Sequence, residues 1–173
     1  MSISLKQLSV AHEQELASIY RSYCTTFPED ERRSAVSFYQ LLQKTEVKLY
    51  QLFWFNEWIG YALFWQLSDF YFLEHFEIFP EYRGKQLGSL VLDYFKNQLG
   101  CIVLESEPSH LNDTAKRRIE FYKRNRFMIL TQDYIQPAYD CSKSSVPLFL
   151  LSNQSLDHLH DKISEIHSVV YQV

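Results

Sequence analysis

The sequence feature that most constrains the fold is residues 70–99, where a strand pattern changes into a helix pattern across a short turn. Residues 70–79 are mostly aromatic and β-preferring, and the proline that follows them ends the predicted strand. From Leu87 the apolar residues recur at helical spacing, and Gly100 lies just past the predicted helix as a stop signal.

The turn between these two elements holds Gly84 and Gly88, two of the four glycines of the chain. Glycines at such places let the backbone approach a ligand closely. The first N–H groups of a helix have no partner within it, and Arg83 and Lys85 add positive charge beside them. The turn therefore predicts a binding site for a phosphate-bearing anion.

The rest of the chain divides into alternating strand and helix patterns. The predicted strands are 3–8, 47–55, 58–66, 70–79, 101–107, 126–131 and 146–152. The predicted helices are 11–23, one that carries Phe38, Leu41 and Leu42 behind the cap residue Asp30, 87–99, 113–125, and one from about Ser155. The polar segment 132–145, which contains Tyr134 and Tyr139, is interpreted as a surface loop.

Two segments resemble motifs of the GNAT superfamily of N-acetyltransferases, and the resemblance is to the small bacterial type. Residues 83–88, R-G-K-Q-L-G, are similar to its acyl-CoA-binding pattern Gln/Arg-x-x-Gly-x-Gly/Ala, with Gln86 in place of the middle glycine. Residues 115–127, A-K-R-R-I-E-F-Y-K-R-N-R-F, are similar to its A-x-x-A/R-x-x-F-Y-x-x-x-G-F helix, with Arg126 in place of the glycine.

The resemblance implies an α/β (α+β) fold of the GNAT type over residues 1–152. That fold is a mixed, mostly antiparallel sheet of about seven strands with helices on both faces. Its fourth and fifth strands splay apart, and the cofactor lies in the gap. Residues 153–173 would add a C-terminal helix, so that residues 1–173 form a single acyltransferase domain.

The same resemblance implies an acyl-CoA-dependent N-acyltransferase that moves acetyl from acetyl-CoA to a primary amine of a small molecule or protein. Glu74 is then expected to be the general base, with His75 and Glu105 in reserve, and Tyr122 the general acid. The residues expected to bind the cofactor are Phe76, Glu77, Ile78, Arg83, Gly84, Lys85, Gln86, Leu87, Gly88, Ser89, Ala115, Arg118 and Tyr122. The residues expected to meet the substrate are Glu105, Glu107, Tyr134 and Tyr139.

The carboxylates have their own argument, because Glu74 lies inside an otherwise aromatic strand, where a charge is costly unless it faces a functional cavity. Burial or a like-charge neighbour would raise its pKa toward that of a useful base. Period-2 alternation predicts one strand face that carries Phe72, Glu74, Phe76 and Ile78. The alternative is an exposed strand edge, or salt bridges to basic side chains such as Arg83, Lys116 and Arg117.

Composition narrows the function classes. A formal net charge of −4 argues against general nucleic-acid binding. Three distant cysteines fit a reducing cytosol, and neither a secretory signal nor a membrane helix is expected. The six histidines do not group into a metal site, so no metal is expected.

Alternatives remain open at this level. The substituted motif glycines also fit a non-catalytic CoA-binding or regulatory module, and the aromatic sheet could simply be the core of an interaction domain. The last predicted helix carries a narrow apolar stripe, which would either dock on this chain's own core or form a homodimer contact. The stripe consists of Leu156, Leu159, Ile163, Ile166 and Val170.

Overall fold

A computed structural model describes residues 3–173, in which seven strands form one sheet. The strands are β1 Ile3–Leu8, β2 Val47–Trp54, β3 Glu57–Gln66, β4 Tyr71–Ile78, β5 Ile102–Ser106, β6 Met128–Gln136 and β7 Val146–Ser152. The α-helices are α1 Glu13–Thr26, α2 Ala35–Leu41, α3 Leu87–Leu99, α4 Asp113–Arg124 and α5 Leu159–Ile166. Shorter helical pieces are two 3-10 turns, Glu29–Glu31 and Pro80–Tyr82, and a π-helix, His167–Tyr171.

The strand order across the sheet is β1-β2-β3-β4-β5-β7-β6. All neighbours are antiparallel except β4 and β5, which run parallel and are joined by α3. Helices α1, α2 and α5 pack on one face of the sheet, here called the α1 face. Helices α3 and α4 pack on the other, here called the α3 face. This open, mixed sheet confirms the predicted fold class.

The sheet opens between β4 and β5. The two strands pair over only three residues each, and the last pair joins Leu73 to Leu104. Beyond this point β4 continues to Ile78 beside β3, while β5 continues to Ser106 beside β7. Because the two strands no longer bond to each other there, a gap runs through the sheet from one face to the other. The expected splay is therefore present.

A β-bulge lies in β4 at the mouth of this gap. Leu63 of β3 pairs with His75, and the next residue, Phe64, pairs with Leu73. Glu74 therefore has no partner on β3 and is the extra residue of the bulge. Bulges redirect the side chains that follow them, so strand alternation cannot be extended through this position.

The bulge corrects the predicted strand face. Glu74, Phe76 and Ile78 were expected on one face, whereas Phe76 packs against α3 and Ile78 lies beside its first turn. His75 and Glu77 instead face α1 and form hydrogen bonds with its side chains. Glu74 shares the α1 face with Phe72 as expected, but the alternation is wrong from residue 75 onward, since one extra residue shifts every later side chain.

Two element assignments also differ from the sequence-based prediction. Helix α2 is capped by Ser34, whose hydroxyl accepts from the N–H of Ser37, whereas Asp30 lies in a 3-10 turn. Strand β6 continues to Gln136 through two register shifts against β7, so Tyr134 is buried in the core and does not lie on a surface loop. The polar residues between the two shifts had masked the strand pattern.

The two residues that replace motif glycines keep the backbone conformation that glycine favours. Gln86 precedes α3 with φ 60°, and Arg126 follows α4 with φ 67°. Both lie in the left-handed region, which costs a residue with a Cβ about 1 kcal/mol or more. The substitutions therefore preserve the turn geometry while adding local strain.

The C-terminal helix docks on the chain's own sheet. Ile166 and Val170 are fully buried in the core of the α1 face. The other stripe residues, Leu156, Leu159 and Ile163, are partly buried and pack against the same core. Of the two alternatives for this stripe, the structure shows the docking on the chain's own core.

We expect Arg126→Gly to raise the free energy of unfolding by about 1 kcal/mol, because glycine adopts positive φ without strain. The Arg126 side chain is exposed, so its loss removes little packing. Arg126→Ala is the matched control, since it removes the same side chain but keeps the strained Cβ. Denaturant unfolding of the three proteins measures the effect, and equal stability of the Gly and Ala variants would contradict it.

Candidate functional site

A buried ion pair lies at the α1-face side of the gap. The carboxylate of Glu74 is fully buried and accepts from Arg33, with Nε at 3.0 Å and Nη2 at 2.9 Å from Oε1. The indole N–H of Trp65 donates to Oε2 at 2.5 Å, and the hydroxyl of Tyr139 donates to Oε1 at 2.8 Å. The guanidinium also lies over the Tyr139 ring, 4.4 Å from its centroid. Glu74 is thus surrounded by donors.

The pKa of Glu74 is lowered, whereas the sequence analysis expected burial to raise it. Burial by itself would raise its pKa, but the charge of Arg33, the neighbouring His75 and the hydrogen bond from Trp65 outweigh burial and hold the pKa below its ordinary value. Glu74 does not form a salt bridge with Arg83, Lys116 or Arg117, as the alternative had expected. Its salt-bridge partner is Arg33. A buried, ion-paired carboxylate with a lowered pKa is a weak proton acceptor.

Glu105 has the environment that was expected of Glu74. It follows Leu104, the last residue of β5 paired to β4, and is partly exposed. The hydroxyls of Tyr134 and Tyr171 donate to its two oxygens, the latter at 2.7 Å. Burial raises the pKa of Glu105 to about 8, although these two hydrogen bonds oppose the rise. Such a group gains and loses a proton near neutral pH.

Glu77 and Glu107, two other glutamates expected at the gap, are each paired with an arginine. Glu77 is buried, pairs with Arg83 at 3.3 Å, and also accepts from two hydroxyls of α1. Glu107 pairs with Arg118 at 2.8 Å. Among the residues that the structure describes, Glu105 is the only one of the four glutamates on or beside β4 and β5 without a salt bridge.

The turn before α3 presents unused N–H groups. In the described part of the chain, no hydrogen bond is donated by the backbone N–H groups of residues 84–88. Gly84 (φ 75°) and Gln86 adopt the left-handed conformations that shape this turn. Arg83 is about half exposed, and its Nε donates to the carbonyl of Ile78 at 2.7 Å. Its guanidinium therefore braces the turn against β4, while Lys85 and Ser89 lie at its surface side.

Gly88 has a packing role in addition to the predicted role in ligand approach. A Cβ on Gly88 would lie 3.1 Å from the Phe121 ring of α4 and 3.6 Å from Ile78. The missing side chain thus lets α3 and α4 pack closely. By contrast, a Cβ on Gly84 would meet nothing within 4 Å. Leu87, also expected at the cofactor, is 2% exposed and belongs to the core.

The helix α4 places Tyr122 on the α3 face. Its ring is 7% exposed and packs against Phe121 and Phe127. Its hydroxyl makes no hydrogen bond to any described residue. Burial raises the pKa of Tyr122, and the nearby Arg118 opposes the rise. Ala115 is fully buried and donates its N–H to the N-cap residue of the same helix.

Sequence reasoning missed three residues of this site, Arg33, Trp65 and Tyr171, of which Trp65 was predicted only as part of a strand. Arg33 stands in a polar stretch and no local pattern distinguishes it from its neighbour Arg32. Tyr171 follows directly on the apolar stripe that ends at Val170, so its burial could have been inferred from that position. Its contact with Glu105, 66 residues away, could not.

The open sheet, its β4–β5 gap and the turn before α3 together define a fold of the GNAT type. The sequence profile of the acetyltransferase (GNAT) family matches residues 14–127, about two thirds of the chain. The chain therefore belongs to the GNAT family of acetyltransferases. A comparison with curated proteins gave no match.

Solved structures agree with this assignment. A putative GNAT acetyltransferase from Bacteroides thetaiotaomicron is 26% identical and superimposes with a TM-score of 0.91, covering 98% of this chain and 99% of that one. PaiA N-acetyltransferase from Thermoplasma acidophilum, in complex with coenzyme A, is 18% identical with a TM-score of 0.57, covering 90% and 100%. Ribosomal-protein-S18-alanine N-acetyltransferase from Escherichia coli is 15% identical with a TM-score of 0.59, covering 91% and 97%. The last two show the fold alone.

Over residues 3–173 no helix combines the length and apolar character needed to cross a membrane. The same residues contain no group of three histidine, cysteine or acidic side chains arranged to hold a metal ion.

The raised pKa of Glu105 predicts a pH-dependent stability. Between its ordinary pKa near 4.5 and about 8, the folded state holds a proton that the unfolded state has lost. This contribution to stability therefore falls as pH rises through that window. Glu105→Gln should remove this fall. The free energy of unfolding of the variant minus that of wild type should therefore increase by about 1–2 kcal/mol between pH 4.5 and pH 8.5.

Denaturant unfolding at a series of pH values measures this difference. Glu120→Gln is the control, because Glu120 is an exposed glutamate on α4. If the wild type and Glu105→Gln curves run parallel over this pH range, the assigned protonation of Glu105 is wrong.

Proposed function

We propose that this protein transfers an acetyl group from acetyl-CoA to a primary amine. The observation that carries the proposal is the gap between β4 and β5, which has a proton acceptor on one face and a proton donor on the other. Glu105 lies on the α1 face with Tyr134, and Tyr122 lies on the α3 face with the start of α3. Two substrates could therefore meet within the sheet from opposite sides.

Coenzyme A would approach from the α3 face. The free N–H groups of residues 84–88 and the start of α3 suit the pyrophosphate, and Lys85 adds charge beside them. The pantetheine arm would enter the gap along the unpaired edge of β4, where Phe76 and Ile78 provide apolar contact. Backbone N–H groups of β4 near these residues would stabilise the oxyanion of the thioester.

The amine would approach from the α1 face. Glu105 accepts one proton from the ammonium group, and the nitrogen lone pair then forms the C–N bond with the thioester carbonyl. As the C–S bond breaks, its electron pair stays on sulfur, and Tyr122 donates its proton to the thiolate. The surplus proton of the new amide nitrogen passes through water to the Tyr122 phenolate, and Glu105 releases the proton it accepted to solvent, so that both groups return to their starting states. No covalent intermediate with the enzyme is needed.

This assignment gives Glu105 the role of general base that the resemblance favoured for Glu74. Glu74 is fully buried and its lone pairs are engaged by Arg33, Trp65 and Tyr139. Glu105 has no cationic partner among the described residues and titrates near the pH at which amines must be deprotonated. In this proposal Glu107 and Tyr139 do not contact the substrate amine, because Glu107 pairs with Arg118 and Tyr139 donates to Glu74.

The acceptor class remains a primary amine, of a small molecule or a protein. The E. coli neighbour is named for an alanine of a ribosomal protein. Where Glu105 is ionised, at a pH above about 8, its charge is unpaired by any described cation and would favour an ammonium acceptor over a neutral or anionic one. We place the reaction in the cytosol, where three free thiols would be kept reduced.

The proposal is tested by measuring acetyl-CoA consumption against a broad library of amines and peptides with free amino groups. We expect turnover with at least one cationic amine, and a rate that increases with pH through about 8 as Glu105 ionises. Binding of CoA without turnover on any amine would contradict the catalytic role and favour a CoA-binding module.

The matched variant in this assay is Tyr122→Phe, which removes only the hydroxyl. Its kcat should fall by at least about tenfold, since a general acid contributes that much or more. Its CoA affinity by calorimetry should stay as in wild type. A kcat within about twofold of wild type would exclude Tyr122 as the acid.

The turn before α3 is tested by a charge placed at Gly84. We expect Gly84→Asp to bind CoA about fivefold more weakly than Gly84→Asn, because a carboxylate near the pyrophosphate costs about 1 kcal/mol. The two side chains have the same size and both tolerate the left-handed backbone. Calorimetry with CoA gives both affinities; equal values would place the pyrophosphate elsewhere.

A further inference from the structure

The C-terminal segment enters the site through an unusual helix turn. After α5 the chain continues as the π-helix His167–Tyr171, a form that is rare and often marks functional sites. The carbonyl of Val170 accepts from Nη2 of Arg33 at 2.8 Å. The hydroxyl of the next residue, Tyr171, donates to Oε2 of Glu105 at 2.7 Å. Two consecutive residues thus contact both charged centres of the gap.

Glu105 is held from two sides. Tyr134 on β6 donates to Oε1, and Tyr171 on the π-helix donates to Oε2. Both tyrosines are buried, with 1% and 5% of their surface exposed. A carboxylate has about four lone-pair positions, so these two hydrogen bonds leave positions free for a proton from the acceptor amine.

No described cation pairs with Glu105, and the nearby guanidinium of Arg33 is bound to Glu74 and to the carbonyl of Val170. The carboxylates of Glu74 and Glu31 act on it through space and disfavour its charge. The ring of Tyr139 packs on Tyr171 with centroids 5.1 Å apart. The ring of His167 lies 5.4 Å from that of Tyr134, and burial lowers the pKa of His167. The hydrogen bonds donated by Tyr134 and Tyr171 are therefore the interactions that favour the ionised form of Glu105.

We propose that Tyr171 is a positioning residue which, with Tyr134, orients the Glu105 carboxylate and favours its ionised form. The C-terminal helix then completes the proton-accepting half of the site, beyond its packing role. This inference rests on the proposed function, because it assigns to Tyr171 an action on the general base of that reaction. Tyr171 itself transfers no proton to or from the substrate.

Loss of the Tyr171 hydroxyl should shift the pKa of Glu105. Removing one hydroxyl that donates to the charged form removes a selective stabilisation equivalent to roughly one pKa unit. Tyr171→Phe keeps the ring and its packing on Tyr139 but loses the hydrogen bond. The titration midpoint of Glu105 should therefore rise by about one unit in this variant.

The primary measurement is a 13C NMR titration of the side-chain carboxyl carbons in protein labelled at glutamate, with Glu105→Gln used to assign the signal. We expect the midpoint to move upward by about one unit in Tyr171→Phe. Tyr94→Phe is the control, since Tyr94 lies on α3 on the opposite face of the sheet. The Glu105 midpoint in this control should equal that of wild type.

The second measurement is the pH profile of kcat/KM on the acceptor found in the amine screen. Its midpoint should shift with the NMR midpoint in Tyr171→Phe and remain unchanged in Tyr94→Phe. A role limited to packing would lower stability without moving either midpoint.

An unchanged NMR midpoint in a folded Tyr171→Phe protein would overturn the inference. Should that variant not fold, the same titration of Tyr134→Phe decides, with an upward shift supporting the pair and no shift overturning it. The NMR titration needs no acceptor and no turnover. It therefore separates failure of this inference from failure of the proposed acetyl transfer.

Discussion

The buried pair of Arg33 and Glu74 is the interaction on which the rest of the site depends. It joins the loop before α2 to the bulge of β4. Glu74 also accepts a hydrogen bond from Tyr139 in the β6–β7 connection, and Arg33 donates one to the carbonyl of Val170 in the C-terminal segment. Removing one partner of such a pair leaves a buried charge and typically costs about 3–5 kcal/mol. The walls of the gap on the α1 face are therefore coupled to one another.

This pair also divides the chemistry between two carboxylates. Arg33 keeps Glu74 ionised and unavailable, and the negative charge of Glu74 in turn disfavours ionisation of Glu105. Two carboxyl groups near one gap thus have pKa values pushed apart, as in sites where one acid is structural and the other exchanges protons. The tyrosines that separate them, Tyr139 and Tyr171, pack ring on ring and each bond a different carboxylate.

Much of the fold could be predicted because it rests on local patterns. The strand, turn and helix of residues 70–99, and the helix that carries Tyr122, have the expected type and order. The prediction that Phe76 and Ile78 share a face with Glu74 was wrong, because a β-bulge adds a residue that depends on pairing with β3 and leaves no mark in the alternation of β4 itself. The end of β6 was missed for a similar reason, since its irregular register against β7 hides the period.

The sequence alone was sufficient for the order of strands and helices and for the turn before α3, because each depends on residue types at short spacing. The arrangement of the sheet was expected only through the resemblance of two motifs to the GNAT family. The roles of the acidic side chains required the tertiary structure. Whether a glutamate is ionised, paired or proton-exchanging depends on what surrounds it, and here those neighbours come from far along the chain, with Arg33 beside Glu74 and Tyr171 beside Glu105. Charge and solvation are properties of the folded neighbourhood, and no local pattern of residues contains them.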